Sequence, residues 1–117
     1  MTEAYDFFQE GQRRLRKGMT AQATVPLEKA KKLEPAKASI REALGIAYFR
    51  LARWRDAERE FRTIVEELSP TDHYAHYALG RALEHLGQTA EANGHYKLAS
   101  SMKPNSETYS ARILDLE

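Results

Sequence analysis

The chain has 117 residues, 42% of them hydrophobic and 30% charged, and its 18 basic and 17 acidic side chains leave a net charge of +1. That length suits one domain with one core, and the near-neutral balance removes any broad electrostatic pull toward nucleic acid or an anionic membrane. With no cysteine, disulfides, thiolate chemistry and cysteine-based zinc sites are excluded.

The opening residues carry Glu3 and Asp6 and lack a basic start followed by an apolar stretch, so no signal peptide is read. No apolar run approaches the roughly 18 residues that a bilayer crossing needs. A cytoplasmic location with no membrane partner is the expectation.

Along the chain, three residue types recur on one period. Gly11, Gly45 and Gly80 are 34 and then 35 residues apart, and Ala23, Ala57 and Ala92 repeat those intervals. Pro35, Pro70 and Pro104 follow at 35 and 34. Each period is predicted to be a helix, a short turn and a second helix, giving repeats over about 4–37, 38–72 and 73–106.

In the first repeat, Phe7, Gly11, Ala23, Leu27, Ala30 and Pro35 fit the pattern, while Glu10 and Arg14 replace apolar residues. Lys17-Gly18 is the turn. Pro26 falls inside the expected second helix and implies either a kink or a late start near Thr24, at up to ~3 kcal/mol if interior. The second repeat carries Leu44, Ala47, Tyr48 and Leu51 at helical spacing, turns at Ala52-Arg53, and continues through Ala57, Phe61, Ile64, Val65 and Leu68. It has one residue more than its neighbours between Phe61 and Pro70, expected to be absorbed near the end of its second helix. Trp54, just after the turn, is read as core. The third repeat places Leu79, Leu83 and Leu86 on its first helix, turns at Leu86-Gly87, and carries Asn93-Gly94 in its second helix, a weakening of about 1 kcal/mol against alanine. A last helix over about 106–116 is predicted to cap the stack, with Ser106 as N-cap and Tyr109, Ile113 and Leu116 on one stripe. Leu114 points off that stripe, which raises a homo-oligomer through this helix as the alternative reading.

The arrangement resembles the tetratricopeptide repeat family, whose pattern runs W-x2-L-G-x2-Y, then A-x3-F, then P. Leu44-Gly45-x2-Tyr48, Ala57-x3-Phe61 and Pro70 match closely, with Arg41 at the opening aromatic position; Leu79-Gly80-x2-Leu83, Ala92-x3-Tyr96, Ala99 and Pro104 match with His76 there. The resemblance covers residues from about 4 to about 106. It implies an all-α fold, a right-handed α-solenoid of about seven helices, with the first helix of each repeat lining a concave groove that holds a peptide or protein segment. Residue by residue, the inward stripe is Tyr5, Phe8, Gln12 and Leu15 or Arg16, then Ser39, Glu42, Ile46, Phe49 and Arg50, then Tyr74, Tyr77, Arg81 and His85. Aromatics with arginines suit a polypeptide partner bearing both acidic and apolar residues. In repeats that hold the acidic tails of heat-shock chaperones, the resemblance implies a clamp at Phe8, Gln12, Ala43, Tyr74 and Ala78. None of these supplies a positive charge, so that adaptor role is not expected.

Other constellations are weaker. Arg13, Arg14, Arg16 and Lys17 with Arg50, Arg53 and Arg55 make a basic edge, but interleaved acids argue against nucleic-acid binding. Asp72, His73 and His76 have a spacing that could bind a metal, yet Asp72 is better read as an N-cap and His76 as a packing residue. Phosphate-binding glycine loops, Gly-x-Ser-x-Gly and His-Glu-x-x-His are absent, so no enzyme, cofactor or metal is expected.

Overall fold

A computed structural model describes residues 3–113. Its helices are α1 (Glu3–Arg16), α2 (Thr20–Leu33), α3 (Ala38–Arg50), α4 (Trp54–Thr63, continued by a π-helical turn Ile64–Leu68), α5 (His73–His85), α6 (Thr89–Met102) and the single turn α7 (Glu107–Ser110). Among the described residues there is no strand, and no helix is long and apolar enough to cross a membrane. The helices stack as hairpins α1–α2, α3–α4 and α5–α6 into a body 49 × 24 × 22 Å.

Each hairpin crosses where a glycine of its first helix meets a large side chain of its second. A Cβ built on Gly45 would sit 2.6 Å from the Phe61 ring, and one on Gly80 would sit 2.5 Å from the ring of Tyr96. Gly11 stands against Leu27 in the same way. Ala23, Ala57 and Ala92, all fully buried, flank these crossings. Small residues here let the two helix axes close until the side chains interdigitate.

All three hairpins turn the same way. The residue two past each first helix takes positive φ, with Gly18 at 75°, Ala52 at 58° and Gly87 at 79°. The next backbone N–H then closes on the carbonyl five residues back: Met19 on Arg14, Arg53 on Tyr48 and Gln88 on Leu83, each at 2.9 Å. Ala52 does this with a Cβ, at about 1 kcal/mol relative to glycine.

The additional residue of the second repeat is taken up where the sequence places it. Glu34 and Lys103 end their helices by donating four residues back, to Ala30 and Ala99. Ser69 instead donates five residues back, to the Ile64 carbonyl at 2.7 Å. One widened turn therefore returns the chain to the common register before Pro70.

Pro26 does not delay its helix. α2 starts at Thr20 and runs through a buried Pro26, so the late start near Thr24 is corrected. The proline deprives the Gln22 carbonyl of its intrahelical donor. Arg14 replaces that donor, its guanidinium reaching the Gln22 oxygen at 3.0 Å while Glu10 holds the same group at 2.9 Å. The two polar residues that break the pattern in α1 thus answer the proline in α2.

The joints between hairpins are polar where the repeat pattern has an aromatic. Arg41 donates to the Pro35 carbonyl at 3.0 Å and to Glu60 at 3.1 Å. Glu60, only 3% exposed, also accepts from Lys31 at 2.8 Å, so one buried carboxylate ties α2, α3 and α4. One joint later, His76 (6% exposed) lies 2.7 Å from the Pro70 carbonyl through Nε2 and 3.0 Å from His95 through Nδ1. Tyr48 and Tyr96 donate to Glu28 and Glu84 at 2.6 Å each.

At the C-terminal end Ser106 caps α7 by accepting from the Tyr109 amide at 3.3 Å, and Tyr109 is buried. The described part of the expected 106–116 helix is this one turn followed by residues 111–113, with Ile113 against the core. Leu114 and Leu116, on which the capping stripe and the second apolar face rested, lie outside the described residues.

Gly45→Ala should destabilise the fold by about 1–3 kcal/mol through overpacking against Phe61, less about 1 kcal/mol of helix propensity regained. Gly94→Ala, whose Cβ meets nothing within 4 Å, should instead stabilise by about 1 kcal/mol. Urea unfolding of the pair checks both signs.

The His76–His95 pair gives a second outcome. With His76 Nε2 donating to the Pro70 carbonyl, its Nδ1 is an acceptor, so His95 Nδ1–H supplies the shared proton. Burial first, and then His76, hold the His95 pKa below its ordinary 6.5, against the opposing pull of Glu91. A depressed folded value means stability is full above 6.5 and is lost as pH falls below it toward the folded pKa. Urea midpoints should drop between pH 7.5 and about 5.5 in the native chain and less in His95→Gln.

Candidate functional site

The first helices of the three hairpins share one face, and two neighbouring depressions open on it. The first, about 240 Å³, lies between α1 and α3 and is lined by Phe8, Gln12, Leu15, Arg16, Ser39, Glu42, Ala43, Ile46 and Arg50. The second, about 230 Å³, lies between α3 and α5 and is lined by Ile46, Phe49, Arg50, Phe61, Tyr74, Tyr77, Ala78 and Arg81. Ile46 and Arg50 belong to both, so the two are compartments of one groove.

Most of the residues picked out in the sequence come together here: Phe8, Gln12, Arg16, Glu42, Ile46, Phe49, Arg50, Tyr74, Tyr77 and Arg81 all line one depression or the other. Tyr5 does not; it is 48% exposed, outside both. His85 does not either. Its ring stacks on Trp54 at 3.8 Å and 6°, and Phe49 meets both rings edge-on at 5.0 and 5.4 Å. Trp54 is accordingly half-buried at the α3–α5 joint rather than a core residue.

The aromatics serve two roles at once. Phe8, Ile46, Phe49 and Tyr77 pack against the core and keep partly exposed surfaces toward the groove. Tyr74 is 36% exposed, and Phe61, the ring that Gly45 abuts, forms the floor of the second depression. Phe61 was missed in the sequence because the alanine-to-aromatic spacing identifies it only as a packing residue.

The three groove arginines differ. Arg81 donates to the Tyr77 hydroxyl at 3.1 Å and lies 5.4 Å over the Phe49 ring. Arg16 and Arg50 are exposed and form no ion pair with a described residue. The basic edge is different again: Arg13 and Arg14 pair with Glu10, Arg53 with Asp56, and Arg55 with Glu58. Four of its seven cations are therefore paired within the chain, on three carboxylates.

Opposite the arginines sits Glu42. Burial, and then the charge of Asp72, raise its pKa above the usual carboxylate value. Burial and then Glu42 likewise raise Tyr74. Of the residues considered for a metal, Asp72 caps α5 by accepting from the Ala75 amide at 3.0 Å, His73 meets the Tyr109 hydroxyl at 2.8 Å, and His76 is engaged with Pro70 and His95. They are held by three different partners, and no group of three metal-ligating side chains converges among the described residues.

No protein-family model matches this chain, and no curated protein does. Solved structures do. The first tetratricopeptide domain of Spaghetti (RPAP3), bound to the HSP90 peptide SRMEEVD, superposes with a TM-score of 0.89 at 22% identity, over 95% of this chain and 87% of that one. The Arabidopsis OM64 tetratricopeptide domain gives 0.87 at 19%, over 93% and 89%. MamA gives 0.89 at 22%, over 94% of this chain and 64% of that one. Likeness at such identities establishes the fold: three helical hairpins stacked as in the tetratricopeptide-repeat domains.

Proposed function

We propose that the chain is a non-catalytic interaction unit whose concave face holds a polypeptide segment with acidic and apolar residues. The observation that carries this reading is the continuous two-compartment groove. Aromatic and aliphatic walls offer area to apolar side chains, and two exposed arginines with no ion-pair partner among the described residues stand where acidic ones would pass. Guanidinium groups bind carboxylates in paired hydrogen bonds, and tyrosine and phenylalanine bury large area with few rotors to freeze.

The Spaghetti domain, bound to a peptide with acidic and apolar residues, supports a polypeptide as the ligand class. A chaperone tail held through the positions that usually clamp it is not the reading favoured here, since Phe8, Gln12, Ala43, Tyr74 and Ala78 are all uncharged. Acidic contacts would instead fall on Arg16 and Arg50.

A random nonapeptide display library panned on the native chain supplies the test. Peptides it selects should lose affinity by about tenfold or more when Arg50→Glu and Tyr74→Ala are combined, with helical circular dichroism unchanged. Undiminished capture by the folded double variant would sink the groove reading.

A further inference from the structure

Carboxylates that are shielded from water are answered in this fold. Among the described residues, every buried or half-buried carboxylate but one has a donor. Glu10, Asp56 and Glu58 hold arginines, Glu28 and Glu84 accept from tyrosines, Glu60 holds Lys31 and Arg41, and Asp72 caps α5. Glu42 is the exception. It is half-buried in the groove and makes no hydrogen bond or ion pair with any described residue.

Its surroundings are equally unspent. Gln12, Arg16, Ser39 and Arg50 line the same depression, and none of their side chains bonds to another described residue. The two arginines stay clear of Glu42, and the charge that bears on it is the like charge of Asp72. Leaving a partly desolvated carboxylate without a cation is unfavourable, and an arriving ammonium or guanidinium relieves it. The compartment thus presents one negative and two positive groups, held apart, beside an apolar second compartment.

We infer that the segment held in this groove is zwitterionic. A lysine or arginine side chain seats on Glu42, an acidic side chain meets Arg16 and Arg50, and an apolar side chain fills the Phe49–Phe61–Tyr74 compartment. This rests on the groove reading and adds to it a required positive charge. A purely acidic segment is selected against, because it would bring like charge onto Glu42.

The same display library decides. Peptides selected on the native chain should be enriched in Lys or Arg as well as in Asp or Glu and apolar residues. On Glu42→Lys, which removes no internal contact, the chosen peptides should bind about 10–100-fold more weakly. Replacing their basic residue by Glu should recover binding to that variant but not to the native chain. Selected peptides enriched in acidic and apolar residues alone, or an affinity unchanged within about twofold in folded Glu42→Lys, would overturn the inference. If capture also survives Arg50→Glu/Tyr74→Ala, or no peptide is enriched at all, the groove reading itself falls. Loss in that double variant without basic enrichment removes only the zwitterionic requirement.

Discussion

The contact on which the molecule depends is a glycine of one helix pressed against a large side chain of the next. Phe61 and Tyr96 reach their buried positions because Gly45 and Gly80 have no Cβ. That close approach fixes how the first helix lies across the second, and so fixes which of its residues face outward. Glu42, Ile46 and Phe49 turn toward the groove because Leu44, Gly45 and Tyr48 are turned toward the neighbouring helix. The floor of the second compartment is the other surface of the same Phe61 ring.

Where the usual apolar parts are missing, polar ones close the structure by capturing carbonyls. Arg41 and His76 stand at equivalent places and take the carbonyls of Pro35 and Pro70, while Arg14 takes the one stranded by Pro26. The Pro35 and Gln22 carbonyls are exposed and water could serve them, so these contacts act chiefly by tying one helix to the next. The result is an interior with no unbonded buried side-chain nitrogen or oxygen among the described residues. Against that background the unengaged polar side chains of the groove stand out.

Much of this is legible in the residues. Glycine, alanine and proline on a shared period locate the helices and turns, because each is demanded by a backbone or close-packing constraint that few residues satisfy. The inward stripe follows from helical spacing once that frame is set, and its members from Phe8 to Arg81 line the two depressions. What the sequence does not reveal are contacts made across the frame. That Arg14 reaches the backbone of α2, that Arg81 lies over Phe49, or that Trp54 stacks on His85 depends on where separate helices meet. His85 has the same helical spacing but lines neither depression, its ring being stacked on Trp54. Of the C-terminal cap that periodicity suggests over about 106–116, the described part is the turn at Glu107–Ser110 and residues 111–113.

Trp54 is the one tryptophan of the chain, and its indole lies flat on an imidazole from another hairpin. Its partners, Phe49 and His85, belong to the second and third hairpins, so the stack exists only while those two remain docked. The protein consequently carries an optical gauge of a single joint. Tryptophan emission follows the separation of these two hairpins, and the first hairpin can come loose without registering in it.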